Sequence, residues 1–280
     1  MASYKEPTAG TQIERGESLM VIGWQQREVG AGNSAASAWT LVEKTQLQPL
    51  LPCLLIPQPA HAVLAGSLAE ALLPSAFGDL PREIKQAITM HDTGWAMIDA
   101  AQIQCLRSGT AEARRAIPVS FVRNSPNEVA EAWTASVQSA ERISAASGIV
   151  VSRHFTLLAA ARAHEHSAFI DEEKARQRKL EASARFEETD LNRWTGALGF
   201  CDLVSLYLIT GLKNEMSFPL AHPAAAEAQT APRVTLRFEK NRLRWDPSIF
   251  PPSLRFELDA LKHPVPAQGP RSERLTWESV

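Results

Sequence analysis

Four side chains with metal-ligand chemistry sit in three apolar stretches of this chain. They are His61 in Pro59-Ala60-His61-Ala62-Val63-Leu64, the adjacent pair in Ile88-Thr89-Met90-His91-Asp92-Thr93-Gly94-Trp95, and Asp202 within Phe200-Cys201-Asp202-Leu203-Val204. Burying a lone carboxylate or charged imidazole costs several kcal/mol, so such groups are normally paired, hydrogen-bonded or bound to a cation. One divalent ion shared by all four would satisfy them together. On a helix, His61 shares a face with Leu64, Ala65, Leu68 and Leu72, which points its ring inward. His91 follows Ala87 and Ile88 at helical spacing, and Asp92 follows Ile88 in the same way. Neighbouring residues diverge by about 100° around a helix axis, so this pair can share an ion only at the edge of the buried stripe. Asp202 lies one turn from Leu198 and from Leu206 and is the single charge in its run. His154, facing the same way as Val150, Val151, Leu157 and Leu158, is a fifth inward-pointing candidate.

Plainer readings stand beside this one. A single His on an apolar face is more often a hydrogen-bonded core residue than a ligand. His91-Asp92 with Gly94 can form a helix C-terminus, and Asp202 can pair with Arg153 in the core, the commonest fate of a buried carboxylate. Arg153 is also the candidate cation for an anionic substrate. His164 and His166 suit a solvated bend or a cavity mouth, while His222 and His263, in proline-rich sequence, read as surface. Trp95, Trp133 and Trp194 can line a pocket or simply fill core, and Asp99, one turn beyond Trp95, either steers a pocket residue or faces water. There is no Gly-rich phosphate loop, no Gly-x-Ser-x-Gly elbow and no His-Glu-x-x-His.

The elements that must position these groups are mostly helical. The pattern predicts helices over about 59–73, 81–101, 126–147, 150–187 with a break near 163–167, and 190–211. Ser125-Pro126-Asn127-Glu128 combines a cap, a first-turn proline and a Glu that closes a capping box, and Gly148 and Gly211 stand where helices end. Leu19–Trp24 and Ala38–Val42 read as short strands. After Lys213 prolines cluster, and Arg233–Phe238 and Arg242–Trp245 alternate with period two as a hairpin that could pair with the N-terminal strands. The expected architecture is mainly α: a helical domain over 55–212, a segment 1–54 with short strands, and a proline-rich segment 213–280 packed on the same domain, the two ends forming a small β appendage.

With 280 residues and 45% hydrophobic content, the chain can bury a sizeable core. Its 29 basic and 31 acidic residues leave it near neutrality, without the basic patches of a nucleic-acid or anionic-membrane binder. Three scattered cysteines fit a reducing compartment. A polar N-terminus and the lack of an uninterrupted apolar span point to a cytoplasmic protein. The oligomeric state is not legible. Mixed imidazole and carboxylate ligation suits iron, manganese, zinc or nickel better than calcium.

The order His61, His91-Asp92, Asp202 on successive helices resembles the HD superfamily of metal-dependent phosphohydrolases, over about residues 55–212. More closely, Gln58-Pro59-Ala60-His61-Ala62, His91-Asp92-Thr93-Gly94-Trp95 and Glu172-Glu173-Lys174-Ala175-Arg176-Gln177 look like a bacterial family known as a domain of unknown function, number 3891. The first resemblance implies an HD-like helical bundle in which His61, His91, Asp92 and Asp202 hold one metal ion. Asp92 would bridge to a second ion to which His154 belongs, giving one or two ions per chain. It implies hydrolysis of a small phosphoester or nucleotide; Asp92, from the resemblance, and Arg153, from its place beside His154, are the candidate catalytic residues. Many members carry a basic residue soon after His-Asp; Thr93-Gly94-Trp95 stands there in this chain. A di-iron oxygenase of the same superfamily and a non-catalytic helical binding protein are the alternatives.

Overall fold

The computed structural model describes residues 53–108, 110–111, 124–183, 186–239, 242–264 and 271–280. The two strands expected before residue 50 lie outside these. Strand β1 (Cys53–Leu55) runs into α1 (Gln58–Ala71), followed by a single turn, α2 (Pro74–Phe77), and by α3 (Arg82–Met90). A 3-10 turn (Thr93–Trp95) separates α3 from α4 (Ala96–Leu106); then come α5 (Pro126–Glu141), α6 (Ala145–Ala160), α7 (Ala163–Ser183) and α8 (Glu188–Ile209). The rest is β2 (Met216–Pro219), β3 (Arg233–Glu239), β4 (Arg242–Asp246), β5 (Arg255–His263) and β6 (Ser272–Ser279), with a 3-10 turn (Ala226–Gln229) after β2.

Helix ends follow local chemistry. Ser125 accepts from the Glu128 amide and Glu128 reaches back to the Ser125 amide, the capping box expected at the start of α5. Gly211 has a φ of 71°, as a residue ending α8 requires. The predicted helix over 81–101 is broken in two, and the reason is tertiary. Gly94 lies so close to α5 that a Cβ there would overlap the Ala132 carbonyl oxygen, and its N–H donates to Ser136 Oγ at 2.9 Å. Gly148 is not a terminator either. Ser144 caps α6 through the Ser147 amide, and Gly148 lies inside the helix, where α5 passes at Glu141. The expected break near 163–167 is present as the start of α7 and a kink at His166.

Helix α8 is the axis of the helical half. Nearly all of its residues from Leu191 to Ile209 are buried, and it packs against α1, α3 and α6. It therefore reads as an almost unbroken apolar run, as a fully enclosed helix must.

The expectation of a helical bundle with a small β appendage is overturned, and with it any all-α description. The C-terminal part builds a curled, mixed six-stranded sheet in the order β1-β5-β6-β4-β3-β2, antiparallel except for the β4–β6 pair. The predicted hairpin is there as β3 and β4, but it pairs with β2 and β6 as part of a larger sheet. The sheet is not an accessory. Alternate residues of β3, β4 and β5 are buried, as one covered face requires, and they join the same hydrophobic core as the helices. A line of aromatic contacts crosses the boundary: Phe77 to Phe200, Phe200 and Tyr207 to Phe218, Phe218 to Trp245, Trp245 to Phe250, and Phe250 to Phe256. Among the described residues no helix is long and apolar enough to cross a membrane.

Candidate metal centre

All five predicted ligand residues converge in the core between α1, α3, α6 and α8. His61, His91, Asp92, His154 and Asp202 are each at most 6% exposed. Donor atoms of His61, His91 and Asp92 lie within 4.8 Å of one another, as do those of His91, His154 and Asp202.

His61 projects from the buried face of α1. Its Nε2 lies 2.7 Å from Asp92 Oδ2, and its Nδ1 lies 2.9 Å from Ser205 Oγ and 3.9 Å from Asp202 Oδ1. His91 closes α3, where its Nδ1–H donates to the Ile88 carbonyl at 2.7 Å. Its Nε2 is thereby aimed between Asp92 Oδ2 at 3.6 Å and Asp202 Oδ1 at 3.5 Å. Among the described residues that buried nitrogen has no hydrogen-bond partner. His154 Nε2 lies 3.7 Å from Asp202 Oδ2. Asp202 thus meets histidines and not Arg153. The Arg153 guanidinium is taken up by Glu181, Glu188 and Asn192, none of them a member of the cluster.

Electrostatics follow from enclosing two carboxylates with several imidazoles. Burial works against a charged His91, but Asp92 and Asp202 outweigh it and push its pKa up to about 9. Burial would raise Asp92, yet His91 and the hydrogen bonds from His61 and Trp95 hold it below the usual carboxylate range. His154 is held neutral, first by burial and then by the neighbouring rings of His222, His91 and His61. An atom set of imidazole nitrogens and carboxylate oxygens with one orphaned, inward-aimed ring nitrogen fits a divalent transition metal. Calcium, which takes six or more oxygens, fits poorly.

Two contributors, His222 and Ser205, escaped the sequence reading, and the role of a third, Asp99, was left open by it. His222, expected at the surface, is 3% exposed; its Nε2 lies 2.9 Å from His154 Nδ1, and its pKa is pulled down to about 3 by burial. Its ring sits on Gly199 of α8, where a Cβ would overlap it. No periodicity around Ala221-His222-Pro223 announces this, because its burial is made by a helix in another part of the chain. Ser205 was readable in principle, one turn from Asp202 on the same face. Asp99, left open between two roles, is 3% exposed, and its Oδ2 accepts from the Gln58 amide at 2.6 Å. It caps α1, whose own N-cap is Pro57 and has no side chain to offer. His263, also expected at the surface, is 1% exposed. His164 is exposed, and His166 is buried at the α7 kink with its ring centroid 5.3 Å from that of Trp133.

A cleft of about 760 Å³ opens over Asp99, lined by Pro57, Pro59, Ala96, Ala100, Ile103 and Arg107 among others. The Asp99 carboxyl is driven up by burial to about 7, with a smaller contribution from the charge of Asp92; the cleft is lined by Asp99 and not by the five clustered residues themselves. A second cavity, about 650 Å³, lies between the end of α8 and the sheet. Arg242 and Arg274 at its edge are already paired with Glu278 and with Asp259 and Glu257.

No curated protein and no solved structure matches this chain. Residues 50–262 match the family described as "Protein of unknown function (DUF3891)", a span that takes in every member of the cluster and His222. The chain belongs to that family.

Proposed function

We propose that this protein is a metal-dependent hydrolase of the HD type that acts on a small anionic phosphoester. The observation that carries the reading is the convergence of His61, His91, Asp92 and Asp202 in a buried cluster, with the His91 Nε2 left without a hydrogen-bond partner among the described residues. His61, His91, Asp92 and Asp202 would hold the ion. When bound, a divalent ion supplies Lewis acidity and lowers the pKa of a water towards neutrality.

The chain's own residues do the rest. Ser205 and the Ile88 carbonyl orient the two histidine ligands, as second-layer partners of metal sites do. Asp99 anchors the start of α1 and so the position of His61. The apolar cleft over Asp99 admits a substrate and limits the water around it, and the exposed Arg107 at its edge offers a cation to an anionic group, in place of the neutralised Arg153.

Metal analysis after reconstitution with Mn²⁺, Fe²⁺, Zn²⁺ or Ni²⁺, beside an Asp92→Ala variant, tests the reading together with a phosphoester panel. Stoichiometric metal in the wild type, its loss in the variant and phosphate release are expected. A wild type that retains no metal overturns it. The grouping of His91, His154 and Asp202 favours a second reading, a two-iron oxygenase; oxygen consumption by the iron-loaded protein would select it.

A further inference from the structure

The two readings part at His154, and the hydrogen bonds behind each ring distinguish them. Ser205 Oγ donates its proton to the Asp202 carbonyl at 2.8 Å, so toward His61 Nδ1, 2.9 Å away, it can only accept. His61 Nδ1 therefore carries a proton. His91 Nδ1 faces the Ile88 carbonyl, which has nothing to donate, and carries one too. With Nδ1 engaged behind each ring, Nε2 is the nitrogen turned toward the carboxylates, 2.7 Å from Asp92 Oδ2 for His61 and 3.5 Å from Asp202 Oδ1 for His91, and a metal ion would take the place of any proton there.

His154 is wired the opposite way. The backbone N–H of Ala224 donates to His222 Nδ1 at 3.2 Å, which makes that nitrogen an acceptor and puts the His222 proton on Nε2. His222 Nε2–H then donates to His154 Nδ1 at 2.9 Å. The His154 proton is left on Nε2, 3.7 Å from Asp202 Oδ2. Reversing the pair would place a hydrogen on His222 Nδ1 against the Ala224 N–H, in a site that is 3% exposed. A doubly protonated His222 meets the same clash.

Resting on the reading of the cluster as a metal centre, we infer that His154 is a hydrogen-bond donor and not a ligand, that the Ala224 amide sets this through His222, and that the centre holds one ion with an oxyanion subsite at His154 Nε2–H. At 3.7 Å that N–H is beyond hydrogen-bond length from Asp202, so it has donor capacity to give a phosphoryl or carboxylate oxygen of the substrate. Two carboxylates already balance a divalent ion, and an incoming anion needs a donor there. His222, which touches neither ion nor substrate in this scheme, is a positioning residue.

The test reads protons directly. Long-range ¹H–¹⁵N correlation spectra of the metal-free full chain with ¹⁵N-labelled histidine should show His154 and His222 protonated at Nε2 and not at Nδ1, and His61 and His91 each carrying a proton at Nδ1 whether or not Nε2 is also protonated. His154 protonated at Nδ1 overturns the inference. Two variants extend the test: His222→Glu puts an acceptor behind His154 and should raise bound Mn²⁺ from one to two ions per chain. Gly199→Ala displaces the His222 ring without touching the cluster and should give His154 a mixed tautomer signal. A wild-type chain that binds two Mn²⁺ ions and loses one in His154→Ala also overturns it. A wild type that binds none but shows the stated tautomers sinks the metal reading alone and leaves His154 assigned as a donor.

Discussion

Replacing Asp99 by Asn should make the protein more stable at pH 8 and leave it nearly unchanged at pH 4.5. Asp99 is 3% exposed, and burial, against a smaller opposing contribution from the Gln58 amide, lifts its pKa from 3.8 to about 7. A carboxyl whose folded pKa lies above its unfolded value binds its proton more tightly in the folded chain. Stability is then full below pH 4 and falls as pH rises to about 7, by roughly 1.4 kcal/mol per pH unit, or about 4 kcal/mol in all. The attraction of the carboxylate for the Gln58 amide at the start of α1 is already contained in that net shift. Asn keeps an oxygen for the Gln58 N–H and has no charge to bury. Urea denaturation of both proteins at several pH values from 4.5 to 8.5 measures the difference, and other titrating groups cancel in the comparison. The expected curve is a gap that opens between pH 4.5 and 7 and then stays constant. A gap that does not change with pH, or a variant less stable than wild type at pH 8, would refute the reasoning.

Gly66→Ala should cost about 1 to 3 kcal/mol of stability in a denaturant titration, since a Cβ there would overlap Thr89 where α1 and α3 touch. Phe218→Ala should cost about 3 to 5 kcal/mol, because this fully buried ring joins the β2 strand to Phe200 and Tyr207 of α8; a loss below 1 kcal/mol would mean the sheet is a separable attachment. Arg153→Ala should change stability by only about 1 kcal/mol, as expected for ion pairs to the partly exposed Glu181 and the exposed Glu188, and leave kcat of any hydrolase activity intact. Arg107→Ala should raise KM for an anionic substrate severalfold with little change in kcat, and an unchanged KM would remove Arg107 from the cleft's role.

Much of the candidate cluster was legible in the sequence alone. His61, His91, Asp92, His154 and Asp202 each interrupt an apolar stretch, and a buried polar side chain has few ways to be satisfied. Helical periodicity then gave each a direction, and the directions meet. Arg153 shows the limit of the same reasoning: it lies next to His154 in sequence, but roughly 100° of helix rotation carries its guanidinium to Glu181 and Glu188. The helix break at Gly94 was hidden as well, since it depends on how near α5 passes and not on the propensity of Thr93-Gly94-Trp95.

What the sequence determines by itself is whatever propagates along one element: the apolar stripes, the caps at Ser125 and Gly211, the alternation of β3 and β4, and the inward aim of five ionisable side chains. Tertiary structure alone decided that the strands form one six-stranded sheet sharing the helices' core, that Asp99 caps a helix beginning 41 residues earlier, and that His222 stands behind His154, 68 residues away. Those contacts join segments with no common periodicity. They exist because unpaired buried groups must find partners across space, and no local pattern records which partner that is.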